Sequence, residues 1–187
     1  WEVAEKSLRK SLPADHRSLL QSLFAVLATH RHGQRQRALA LLDQLEGDSK
    51  IPQHLVSIVR AECHIEADEW SLAARSLDAL SPAVTATPRV KKLRAELAYV
   101  GGDWPTVIEL LPALRAAYLL PEAVLAAWEQ AAWAGAMTQD DLSASALASL
   151  WKRAPEAQKS SDSGLWTSLI EQLRLRSEWG ALTKALQ

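Results

Sequence analysis

The residues able to do chemistry are few in this sequence, and their spacing does not assemble them. The single cysteine, Cys63, is followed directly by His64. A nucleophile and its base must lie within hydrogen-bond reach, but neighbours on a helix point about 100° apart. Cys63 therefore reads as a structural thiol. Of the histidines, His30 and His32 lie in "THRHG" (29–33), an i, i+2 pair near a helix end that does not converge on a metal, and His16 stands apart. Neutral imidazole is a common axial ligand of haem, so His54 and His64 are weak haem candidates, without the C-x-x-C-H that would attach one. Carboxylates pair at Glu62/Glu66 and at Asp140/Asp141, and neither pair is flanked by an evident desolvating pocket. Phosphate-binding G-x-x-x-x-G-K-[ST], nucleophile-elbow G-x-S-x-G, zinc-protease H-E-x-x-H and C-x-x-C are all absent from the sequence. The expectation is a protein without catalytic residues, resident cofactor or metal.

Composition points to a soluble globular protein built of helices. Lys and Arg number 21 against 22 Asp and Glu, giving a formal net charge of -1. That balance offers no field for nucleic acid or an anionic membrane. One cysteine permits no internal disulfide. No apolar run approaches the roughly 18 residues of a membrane span. The longest, "LLQSLFAVLA" (19–28), is interrupted by Gln21 and Ser22. The chain opens at Trp1 already in a helical pattern, so it reads as a fragment, outside which a membrane anchor could lie. Ala and Leu dominate, both strong helix formers, and no segment shows the β-branched alternation of a strand.

The elements that position these residues come from a repeat. "LLDQL" begins at Leu41, "SLDAL" at Ser76 and "LLPAL" at Leu110, steps of 35 and 34 residues. Upstream stand "DEWSLAA" (68–74) and "GDWPTVI" (102–108), each with a Trp after an acidic residue suited to cap a helix N-terminus. "SEWGALTKAL" (177–186) repeats the pattern at Trp179. "WEVAEKSL" (1–8) aligns Trp1, Ala4 and Leu8 with Trp70, Ala73 and Leu77. "HGQRQRALALLDQL" (32–45) lacks the Trp but keeps Ala38 and Leu42 in register. A helix–turn–helix unit of this period, with a small residue four before a large apolar one, is the tetratricopeptide pattern. The small residues let paired helices approach, and pairs stack because one pair cannot bury its apolar face alone.

The expected fold is therefore all-α, a single tetratricopeptide-like superhelix over 1–187 of about 11 helices. It has a half repeat at 1–13 and repeats at about 16–47, 53–82, 88–117, 121–155 and 163–187. Helices are expected at 2–12, 16–31, 34–47, 53–67, 70–80, 88–100, 104–117, 121–137, 140–154, 163–176 and 178–187. Prolines 13, 52, 82, 88, 121 and 155 fall at helix ends, and Pro105 lies in a first turn where its missing N–H costs nothing. Thr138–Asp141 reads as a weak capping box. "KSSDSG" (159–164) reads as a mobile linker in the repeat that departs most from the period.

Solenoids of this kind bind on their concave face, which the first helix of each pair lines. The register places Leu55, Ile58, Glu62, Arg89, Lys92, Glu96, Tyr99, Thr167, Glu171 and Arg174 there. This mixture suits a protein or peptide surface better than a small metabolite. "AECHIEADE" (61–69) is acidic and "PRVKKLR" (88–94) basic, so two charge sets meet side by side. They either fix the register of the helices or select a charged partner segment. Trp70, Trp104 and Trp179 recur in register as inter-helix packing residues.

The stretch "YVGGDWPTVIELLPALRAAYLL" (99–120) resembles the HemY family, through Gly102, Asp103, Trp104, Leu110, Leu111, Pro112, Leu114 and Arg115. "SLWKRAP" (149–155) is similar at Leu150, Trp151, Lys152 and Pro155, and "ALALLDQL" (38–45) fits a preceding repeat. What the resemblance implies is the soluble repeat region of a protein anchored in the bacterial inner membrane, a non-catalytic scaffold associated with late haem biosynthesis. Its partners would be haem-pathway enzymes or membrane proteins, and nucleic acid is not expected. Two other functions stay open: a haem- or porphyrin-binding module, and a generic tetratricopeptide adaptor in cell-envelope assembly. The family shares its name with a flavin-dependent oxidase, whose G-x-G-x-x-G this chain lacks.

Overall fold

The structure is a computed structural model that describes residues 33–46, 51–139, 143–156, 164–175 and 180. Nine helices make up the regular structure of the described residues. They are α1 (Arg35–Leu45), α2 (Gln53–Ile65), α3 (Trp70–Asp78), α4 (Pro82–Thr85), α5 (Pro88–Gly101), α6 (Trp104–Ala116), α7 (Glu122–Met137), α8 (Ala144–Arg153) and α9 (Gly164–Leu175). The all-α expectation holds. The helices expected at 2–12 and 16–31, most of 178–187, and with them Trp1, His16, His30, His32 and Trp179, lie outside the described residues. So does most of the 159–164 linker, whose last residue, Gly164, opens α9.

The repeat is visible as a turn made three times. Gly33, Asp68 and Gly102 have φ of 75°, 58° and 70°. The next residues, Gln34, Glu69 and Asp103, have φ/ψ of -91°/53°, -95°/61° and -79°/72°, and each precedes the first residue of a helix. Asp68 and Gly102 each close the preceding helix. Asp68 N–H donates to the Ile65 carbonyl and Glu69 N–H to the His64 carbonyl, at 3.1 and 2.9 Å. Gly102 and Asp103 repeat both bonds to Tyr99 and Ala98, at 3.3 and 2.9 Å. These are the two crossed bonds of a Schellman motif, which satisfies the last carbonyls of a helix. Glycine takes this conformation freely, and Asp is one of the few other residues to visit it. Buried positions recur at the same step: Ala38 and Leu42, Ala73 and Leu77, Val107 and Leu111 are all at most 2 % exposed.

The chain divides into two compact units, Trp1–Leu97 and Ala98–Gln187, with the division inside α5. In the first, α2 packs against both α1 and α3. It does so because it is apolar on two stripes. Val56, Val59 and Cys63 join Ala38, Leu42 and Ile51 in one core, and Ile58 and Ala61 join Ala73, Leu77, Leu80, Val90 and Leu93 in another. Each stripe follows i, i+3 or i+4 spacing, the signature of a helix face. In the second unit, α7 packs against α6, α8 and α9. Trp133 and Met137 of α7 meet Leu147, Trp151 and Ala154, and Leu169 and Leu173 of α9.

Three local expectations are corrected. Thr138 does not open a capping box: its hydroxyl donates to the Gly135 carbonyl at 3.0 Å and closes α7. Ser143 caps α8 instead, accepting from Ala146 N–H at 3.2 Å. Pro82 lies at a helix boundary as expected, but it opens a short helix, α4, that the expected helices lacked, since proline fits a first turn. Asp103 caps α6 as expected, accepting from Thr106 N–H at 3.4 Å. Glu69 makes no side-chain cap for α3; its carboxylate takes the Arg35 guanidinium and His64 Nδ1 instead.

Candidate functional site

Four of the ten groove residues come together in the first unit. Glu62, on α2, and Arg89, Lys92 and Glu96, on α5, line a cleft of about 330 Å³ with Ile65, Glu66 and Leu93. Glu62 sits one turn before the end of α2, and Arg89 at the second position of α5. Val90 and Leu93, buried in the core below, fix the face α5 presents. The Arg89 guanidinium then meets the Glu62 carboxylate in a two-pronged pair, Nε to Oε1 at 2.7 Å and Nη2 to Oε2 at 2.6 Å. Planar guanidinium and carboxylate match in this geometry, which adds direction to charge attraction. Lys92 Nζ lies 2.8 Å from Glu96 Oε1, one helical turn along. The acidic and basic faces therefore do meet, and the cleft is zwitterionic with an apolar floor of Ile65 and Leu93. Arg89 keeps 47 % of its side chain in solvent, so the pair lies at the surface of the cleft.

The other predicted residues fall elsewhere. Ile58 is 4 % exposed in the core shared by α2 and α3 and presents no surface. That corrects its placement on the groove: α2 is apolar on two stripes, and the register assigned Ile58 to the wrong one. Leu55 is half-buried against the core of α1 and α2. Tyr99 belongs to the second unit. It stacks on Trp128 with ring centroids 5.0 Å apart and 17° between planes, and meets Trp104 edge-on at 5.8 Å and 85°. Thr167, Glu171 and Arg174 are exposed on α9. Sequence reading did not name Ile65 and Leu93 for the cleft. Their signal was present, since Ile65 follows Glu62 by three and Leu93 precedes Glu96 by three.

The weak haem candidates differ in setting. His54 is exposed in the first turn of α2. His64 is 7 % exposed, its Nδ1 2.7 Å from Glu69 Oε2. Cys63 is 1 % exposed. Burial, with Glu66 and then Glu62 nearby, pushes its thiol up to about 11, the environment of an inert structural cysteine. Among the described residues no group of three or more His, Cys, Asp or Glu is placed to hold a metal ion. Among the same residues no helix is long and apolar enough to cross a membrane.

The motif that carries the family resemblance has structural roles. Gly102 and Asp103 form the repeated turn, and Trp104 lies across Gly135 of α7, where a β-carbon would stand 2.3 Å from the indole. Arg115 donates to Glu122 at 3.0 Å and to Glu129 at 3.2 Å, tying the end of α6 to α7. No family model and no solved structure matches the chain. It is similar to Protein HemY of Escherichia coli strain K12, of Escherichia coli O157:H7 and of Shigella flexneri, at 28% identity over 158 residues in each case. The match takes in 81% of this chain and 39% of each relative's length. Identity is modest but runs along most of the chain, and it supports the HemY-family relationship that the sequence led us to expect.

Proposed function

We propose that this chain is the repeat region of a HemY-like scaffold, non-catalytic, whose cleft between α2 and α5 binds a segment of a protein partner. The observation that carries the reading is the gathering of Glu62, Arg89, Lys92 and Glu96 in one cleft, in a chain similar to Protein HemY. The turn repeated at Gly33, Asp68 and Gly102 supports a tetratricopeptide-like array. The charges are held in pairs before any partner arrives, which lowers the ordering cost of binding. A cleft of both signs recognises a segment of both signs and rejects a polyanion. From the resemblance we take the setting: attachment to the bacterial inner membrane, and partners among haem-pathway enzymes or membrane proteins, so that late haem biosynthesis is organised or regulated there.

The test is affinity capture from native membranes with the full-length protein as bait, beside an Arg89→Glu/Lys92→Glu bait of unchanged thermal stability. A haem-pathway enzyme recovered with the first and lost with the second is the expected result. Envelope-assembly proteins in its place would leave the array and remove the haem connection.

A further inference from the structure

Two sequence stretches that carry the family resemblance lie about 40 residues apart in the chain and meet on one surface of the second unit. Leu111 and Pro112 of "LLPAL", and Leu150 and Pro155 of "SLWKRAP", line a groove of about 610 Å³ together with Pro105, Ile108, Glu109, Glu129, Trp133 and Arg153. Their helical packing accounts for only part of this. Trp133 and Leu150 belong to the edge of the second unit's core, so the groove floor is anchored. Its walls are three prolines, whose backbone has little freedom left to lose on binding. Pro105, Ile108, Glu109 and Pro112 follow i, i+3, i+4, i+7 along α6, one continuous stripe. Pro112 also has no N–H, so the Ile108 carbonyl lacks its donor from the next turn.

The rim charges say what fits. Glu129 is already neutralised by Arg115 at 3.2 Å. Glu109 and Arg153 are exposed, and among the described residues no side chain pairs with either. The groove thus offers one unspent negative charge on α6, one unspent positive charge at the end of α8, and apolar residues in the same lining. We propose that this groove is a second docking surface, for an amphipathic helical segment of a partner protein that lays an apolar stripe on Ile108, Pro112 and Leu150, with a basic residue toward Glu109 and an acidic residue toward Arg153. Stripe-in-groove docking of this kind is a recurrent mode of peptide recognition. The surface does not depend on the α2–α5 cleft.

Three fluorescein-labelled helical peptides with the same leucine stripe test it by polarisation against the 187-residue chain: one with Lys and Glu at the rim positions, one with Glu at both, and one with Gln at both. The wild-type chain is expected to prefer the Lys/Glu peptide over the Gln/Gln peptide by about fivefold, the scale of exposed charge pairs. In Glu109→Arg, an exposed change that leaves thermal unfolding in place, the preference is expected to move to the Glu/Glu peptide. Two results overturn the proposal: no saturable binding of any peptide up to about 1 mM, or a ranking of the three peptides that Glu109→Arg leaves unchanged.

Discussion

Gly135 is where a single methyl group has a sharply defined consequence. A β-carbon there would sit 2.3 Å from the Trp104 indole, a contact that requires the ring or α7 to move. Overpacking of this kind costs about 1–3 kcal/mol, partly offset by the better helix propensity of alanine. Gly135→Ala is therefore expected to lower stability by about 1–2 kcal/mol in denaturant unfolding, and Trp104→Leu in the same chain to recover much of it. Cys63 makes a prediction in pH. Its thiol is raised from 9.0 to about 11, so above pH 9.0 the unfolded chain releases this proton before the folded one does. The thiol's contribution is complete below pH 9.0 and is lost as pH rises toward 11, on the order of 2 kcal/mol in all. Cys63→Ala should flatten that part of the stability–pH profile, and native Cys63 should resist alkylation at neutral pH.

Helices and turns were the most legible level of the sequence. The 34–35-residue step placed helix starts near Gln34, Trp70 and Trp104 because an acidic capping position and a small-then-large apolar pair are written in residue types; the left-handed residue at Gly33, Asp68 and Gly102 is seen in the structure. Asp68 alone of the three pays the steric cost of a β-carbon at φ 58°, so Asp68→Gly is expected to raise stability by about 0.5–1 kcal/mol in thermal unfolding. What the sequence hid was which of two stripes α2 turns to which neighbour. Val56, Val59 and Cys63 on one side and Ile58 and Ala61 on the other are equally apolar, so periodicity could not tell a groove residue from a core residue, and Ile58 was misplaced. Capping at α8 was hidden for a related reason: Thr138 and Ser143 are both good caps, and only the hydroxyl bond of Thr138 to Gly135 shows which helix it serves.

For the molecule as a whole, the candidate cleft was half legible. Opposed charge in "AECHIEADE" and "PRVKKLR" led to the expectation that an acidic and a basic helix face meet, but not that Glu62 and Arg89 form the pair. The groove on the second unit was not legible, since its lining is drawn from α6, α7 and the end of α8 and no period links them. The exposed Arg89–Glu62 pair contributes little to folding, about 0.2–1 kcal/mol, so Arg89→Gln should scarcely shift thermal unfolding while weakening partner binding, a separation that calorimetry and titration on one sample can read. The central claim, that the α2–α5 cleft is a partner-binding surface of a HemY-like scaffold, is tested most directly by titrating a purified haem-pathway enzyme recovered by capture into the wild-type chain and into Arg89→Glu/Lys92→Glu by calorimetry. Saturable binding to the wild type, abolished or weakened at least about tenfold in the double variant, is the predicted result. Equal binding to both folded chains would contradict the cleft assignment, and absence of binding to the wild type would contradict the scaffold itself.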